Sequence, residues 1–307
     1  MYYPYLRGKQ NELILLRDQA ELIASSKIIP IIEPVKKNLN PLFRAFDNLN
    51  EYNAEYILII NPIHGDFEEN NSLLLESLPT SYNLIVGINK LVDTDINLIK
   101  KYIELFSDYQ IAIIHQDFGN GKEFSNILSQ YTNITKHIFV VEGNESMLYQ
   151  NHFSRQGERI LIQDAFKKQN NKDYVKEEYF SELHLTYKML GLGGFGDFLI
   201  VGDDYSVSGG PAYAVAIHLT YINSLDEDKM FIKHYKSKRV TGITDPGGKF
   251  LEALDTLVND IKGKSEFDTN ACKEFISLYE RKHFPGLGSV KKLSMQHHIE
   301  TFAKYLG

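Results

Sequence analysis

Apolar residues in this chain fall into short continuous runs separated by stretches of helical spacing, and that rhythm predicts a fold. Leu13, Leu16, Ala20 and Ile23 keep the interval of an amphipathic helix over about 11–25. The run 28–35 follows as a buried strand, and the theme recurs about every 25 residues, at 56–60, 84–88, 111–114, 137–141 and 159–162. Between the runs, 95–106 sets Ile96, Ile99, Ile103 and Phe106 on one helical face, and 122–131 does the same with Phe124, Ile127, Leu128 and Tyr131. Strands alternating with helices imply a parallel sheet, and strands rich in β-branched residues imply a sheet covered on both faces. Even spacing, and no glycine-rich phosphate turn after an early strand, favour a (β/α)8-type, TIM-like barrel over a doubly wound sheet.

After Glu178 the rhythm changes. Residues 198–201 predict a seventh strand, 213–221 and 230–235 predict a β-hairpin joined by the polar stretch 223–229, and helical patterns fill 246–261, 269–282 and 290–305. No linker rich in Pro, Ser or Gly marks a second domain. The expectation is one barrel domain over 1–307: a cap at 1–27, barrel core and hairpin at 28–222, and hairpin completion with terminal helices at 223–307.

Side chains two apart share a strand face. By that count Glu33, Asn61, Asn89, Asp117, Glu142 and Asp164 each end an apolar series of matching parity at the carboxyl end of a strand. Barrel enzymes draw their chemistry from that end, so the six are expected to converge. Glu33, Asp117, Glu142 and Asp164 are candidate acid/base groups or Mg²⁺ ligands, with His115 as a proton carrier. Asn61, Asn89 and His64 are candidate substrate contacts, and Arg7, Lys9 and Lys36 would face anionic groups. Asp, Asn and Glu also end strands for purely structural reasons, so both readings stand.

Composition narrows the partners. A net charge of -7 argues against a protein that coats nucleic acid, leaving only a local patch of Arg281, Lys282, His283, Lys291 and Lys292 for such contacts. The single cysteine, Cys272, excludes an intramolecular disulfide and reads as buried filler. The first residues lack the pattern of a signal peptide and no apolar run nears the ~20 residues of a membrane span, so a cytoplasmic location without membrane contact is expected.

Single motifs weigh less. Gly191-Leu192-Gly193-Gly194-Phe195-Gly196 has the letters of a dinucleotide fingerprint, but a helix precedes it and a strand follows, so it is read as a flexible loop. Asp245 and Pro246 suit the N-cap and first position of a helix, with Lys249 as an alternative phosphate contact. His297 and His298 are adjacent on a helix, which disfavours a two-histidine metal site. Hydrolase-elbow, zinc-helix and Walker signatures are absent.

Several blocks along the chain, Tyr3-Pro4-Tyr5-Leu6-Arg7-Gly8-Lys9-Gln10, Pro30-Ile31-Ile32-Glu33-Pro34-Val35-Lys36, Ala212 to His218, Asp245 to Leu254, and His283-Phe284-Pro285-Gly286-Leu287-Gly288 through His297-His298-Ile299-Glu300, carry a family likeness. On them the chain resembles an uncharacterised bacterial family related to the "beta protein" group. The resemblance implies a gene beside one for a PD-(D/E)XK nuclease-like protein, in a two-component mobile-element or antiphage defence setting. It carries over no catalytic residue. The functions to weigh are an enzyme on a phosphorylated or nucleic-acid substrate, a non-catalytic specificity or regulatory partner of the nuclease-like protein using 212–235 and the terminal helices, and a small-molecule sensor.

Overall fold

The protein is described from a computed structural model covering every residue except 79, 80, 82, 142–145, 208, 209, 211 and 212. It forms two compact units, 1–164 with 186–198, and 165–185 with 199–307.

The first unit is the predicted barrel. Its parallel strands are β1 (Tyr5–Leu6), β2 (Ile31–Ile32), β3 (Tyr56–Ile59), β4 (Leu84–Lys90), β5 (Gln110–His115), β6 (Ile134–Val141) and β7 (Glu158–Gln163) and, after β8 (Glu177–Ser181) of the second unit, β9 (Gly194–Gly196). First and last strands are joined where Tyr3 N donates to Phe195 O at 2.8 Å and Tyr5 N to Asp197 O at 2.9 Å. Alternate residues fill the interior, among them Tyr3 and Tyr5, Ile57 and Ile59, Ala112 and Ile114, and Ile160 and Ile162. Helices between the strands cover the outer faces, which is why the strands read as continuous apolar runs.

Three local expectations change. Residues 1–6, read as part of a cap, supply the first strand; with only two residues in the ladder, it is too short for a periodic signal. In the run 28–35 the regular strand is limited to Ile31–Ile32, with Pro30 and Pro34 lacking an amide to donate, although Ile29 N and Glu33 N still donate to Tyr2 O and Leu6 O. The predicted strand at 198–201 is instead a turn, and the glycine segment read as a loop provides β9. The glycines are there for room: a Cβ on Gly194 would lie 2.3 Å from the Tyr3 ring, and one on Gly196 2.0 Å from Tyr3 O.

The second unit holds an antiparallel sheet in the order β10 (Ala216–Asn223), β11 (Lys229–Lys236), β8. The predicted hairpin is β10 and β11. Helices Pro246–Ile261, Asn270–Glu280 and Leu287–Leu306 pack on it, with Ile217, Leu219 and Tyr221 against Phe250, Leu257 and Phe275 in one core. Asp245 caps the first helix by accepting from Gly248 N at 2.8 Å. Cys272 is buried and its thiol is pushed up to about 12, chiefly by burial. No helix among the described residues is long and apolar enough to cross a membrane.

Candidate active site

The barrel rim gathers some of the predicted residues and spends their polar atoms on one another. Glu33 is fully buried: one carboxylate oxygen pairs with Arg7 and accepts from Tyr5 OH at 3.1 Å, and the other accepts from Ile63 N at 2.8 Å. Asn61 and Asn89 clasp each other, with Asn89 N donating to Asn61 Oδ1 at 2.8 Å and Asn61 Nδ2 to Asn89 O at 2.9 Å. Gln116 Nε2 extends this ladder to Asn89 Oδ1 at 3.2 Å. Hydrogen-bonded amides of this kind stitch adjacent strand ends, and the Glu33 carboxylate is held by Arg7 and two other donors.

Parity fails on β5. Ala112 and Ile114 face the interior, so Gln116 belongs to the rim, and His115 and Asp117 do not share its face. His115 sits among Phe124, Tyr149 and Phe153 of the surrounding layer. Its Nδ1 is hydrogen-bonded to Tyr149 OH at 2.8 Å, and its Nε2 to His137 Nδ1 at 2.9 Å. Burial drives both histidines to the neutral form, His137 to about 4. Asp117 pairs with Lys90, one residue past Asn89 and so also off the inner face. Its carboxyl lies below the usual range: although burial opposes this, the Lys90 ammonium and the backbone amides of Gly119 and Phe118 outweigh it.

The remaining expected site residues are scattered. Asp164 is exposed at the end of the unit and His64 is half-buried before the turn Gly65–Phe67. Lys9 occupies the N-cap of the helix Gln10–Asp18, where its amide donates to Glu12. Lys36 borders a cleft of about 520 Å³ with Arg17 and Arg44. Glu142 lies outside the described residues. Among the described residues no three His, Cys, Asp or Glu side chains gather to hold a metal.

A better-built site lies in the second unit. A cavity of about 830 Å³ is lined by Phe166, Tyr174, Tyr213, His218, Ser294 and three lysines, Lys168, Lys172 and Lys291. His218 and His234 stand opposite each other on β10 and β11, with their Nδ1 atoms 2.7 Å apart. Behind them Glu178 Oε1, on β8, accepts from His234 Nε2 at 3.2 Å. Tyr174 stacks on the His234 ring at 4.5 Å and meets His218 edge-on at 4.7 Å, so aromatic packing fixes both imidazoles.

The hydrogen bonds assign the tautomers. The Glu178 carboxylate can only accept, so His234 carries its proton on Nε2 and offers the Nδ1 lone pair. His218 then donates from Nδ1, and its Nε2 is a lone pair with no hydrogen-bond partner among the described residues. Both rings are pushed toward the neutral form, mainly by burial. For His218 the neighbouring His234 and Lys291 add to this; for His234 the Glu178 carboxylate opposes it. A neutral imidazole with an available nitrogen on a cavity wall is the form that takes a proton.

Sequence reasoning missed Glu178, His218 and His234 as site residues, although the predicted hairpin turn at 223–229 already sets residue 218 opposite 234. Of the basic patch, Lys291 lines the cavity, whereas Arg281 pairs with Glu274 at 2.8 Å.

These features define a (β/α)8-type barrel accompanied by an α/β unit with a histidine-walled cavity. No family model, no curated protein and no solved structure matches the chain.

Proposed function

We propose that the protein is an enzyme performing acid–base chemistry on a phosphorylated substrate bound in the cavity of the second unit, with His218 as the base. The observation that carries this is the hydrogen-bonded chain Glu178, His234, His218, whose last imidazole lines a cavity that also bears lysines. When His218 Nε2 takes a proton, the positive charge is shared with His234 through the Nδ1 contact and is countered by Glu178. Lys172 and Lys291 supply the attraction for a phosphate group, while Lys168 is paired with Asp204 at 2.7 Å. The arrangement resembles a nucleophile-activating relay in logic, with a carboxylate orienting one histidine and that histidine fixing the tautomer of the next.

Turnover of a panel of phosphorylated compounds, followed by phosphate or product release, tests the reading. Positioned general bases contribute about 10²–10⁴-fold, so His218→Gln should lower kcat by at least about 100-fold with its melting temperature kept. Glu178→Gln should lower kcat less and shift the pH profile, because it releases the tautomer of His234. Wild-type kcat in His218→Gln would overturn the proposal.

The nuclease-like partner implied by the resemblance is carried as a separate proposal. Co-purification of the two chains from cells expressing both would support it. Their failure to associate, while this chain alone turns over substrate, would remove it.

A further inference from the structure

We infer that the substrate of this cavity is a nucleotide, a phosphate ester bearing a planar base; the inference rests on the acid–base reading above. The cavity is chemically mixed. Its polar lining includes His218 with Lys291 and Ser294, which stand three residues apart and so share a face of the helix Leu287–Leu306. Lys291 is close enough to act electrostatically on His218. Ser294 is only 2% exposed and lines the cavity beside Lys291.

Part of the lining is apolar and open. Tyr213, Val240 and Leu287 line the same cavity while remaining 56%, 37% and 40% exposed. Lys249 fixes this side, donating its buried ammonium to Tyr213 O at 2.7 Å and Gly242 O at 2.5 Å. Apolar surface presented at the mouth of a cavity favours a ligand that covers it. A sugar phosphate would satisfy the polar lining alone. A nucleotide satisfies both, with its phosphate toward Lys291 and Ser294 and its base against Tyr213, Val240 and Leu287. The volume of about 830 Å³ suits a ligand of that size, within the roughly 300–1,000 Å³ of small-molecule sites.

Calorimetric titration of the full chain with AMP, UMP, ribose 5-phosphate and adenosine tests the inference. The nucleotides should bind at least about tenfold more tightly than ribose 5-phosphate, the lower range of what one base–aromatic stack supplies. Tyr213→Ala, at an exposed position that tolerates truncation, should erase most of that margin. Lys291→Gln should weaken AMP and ribose 5-phosphate alike. Equal affinity for ribose 5-phosphate and AMP would overturn the nucleotide inference and leave the acid–base reading in place. Nucleotide binding unchanged by both substitutions, or no binding by any of the four probes, would also overturn it. The acid–base reading fails separately, on undiminished turnover by His218→Gln.

Discussion

Adding one methyl group to the last barrel strand tests how the ring is held together. In Gly196→Ala the new Cβ would fall 2.0 Å from Tyr3 O and 2.5 Å from Ile162 Cδ1. The end of the Ile162 side chain can turn away, but Tyr3 O belongs to the backbone of the neighbouring strand. Relief requires the strands to part by about 1.4 Å, the overlap with an ordinary contact distance of about 3.4 Å. That separation stretches the bonds from Tyr3 N to Phe195 O and from Tyr5 N to Asp197 O. Two hydrogen bonds at about 1 kcal/mol each and an overpacking cost of about 1–3 kcal/mol give a loss of about 3–5 kcal/mol. Against a typical stability of about 5–15 kcal/mol this is a large fraction. At about 2–4 °C per kcal/mol, the barrel transition should fall by about 6–20 °C in scanning calorimetry. Gly210→Ala is the control, because its Cβ meets no atom within 4 Å, and it should melt within about 2 °C of wild type. Should Gly196→Ala also melt with wild type, the joining of first and last strands through residues 194–197 is refuted.

Other outcomes follow from buried charge. His137 and His297 sit near 4 in the folded protein, chiefly through burial, against 6.5 when exposed. Below pH 6.5 the unfolded chain therefore takes up protons first, so stability present above that pH is progressively lost down to about pH 4, by about 3 kcal/mol per histidine. Urea titrations at pH 7.5, 5.5 and 4.5 check this, and a flat midpoint would contradict it. Glu33→Gln should cost about 3–5 kcal/mol by leaving Arg7 buried beside a neutral group, while Arg7→Met with Glu33→Leu should recover much of the loss; a double variant no better than the single one refutes the pairing. Lys249→Met removes the donor shared by Tyr213 O and Gly242 O, so ligand affinity at the cavity should fall together with the melting temperature, and an unchanged affinity would show that this strut does not order the mouth.

The barrel was legible because its strands are buried on both faces. Ile57, Leu58 and Ile59, like Ile111 to Ile114, make apolar runs that stand out between helical spacings, and their even recurrence reflects repeated strand–helix units. The joining strands were not legible. Tyr5–Leu6 is too short to show a period, and β9 looks like a loop because close approach by Tyr3 demands glycine where a strand would ordinarily carry branched residues.

The parity count set Asn61 and Asn89 side by side at neighbouring strand ends, as the hydrogen bonds between them have it, and it failed on β5. There the choice of Ile113 over Ala112 as an inward residue turned His115 and Asp117 to the wrong face, because a continuous apolar run gives no internal mark of parity. The cavity was missed for a different reason. Its histidines come from a hairpin whose register was readable, but Glu178 comes from β8, which pairs with β11 across a register shift at Met230 and Phe231. Ser294 and Lys291 arrive from a helix more than 70 residues beyond His218, and nothing in spacing along the chain announces that meeting.

Imidazole nitrogen NMR on ¹⁵N-histidine-labelled protein tests the central claim most directly, with the His218 signals assigned by their loss in His218→Gln. At neutral pH His218 should be the neutral Nδ1–H tautomer with an unprotonated Nε2, and that Nε2 signal should move on addition of AMP while those of His115 and His137 stay in place. A protonated or Nε2–H His218, or a Nε2 signal unmoved by every phosphorylated probe, would contradict the account.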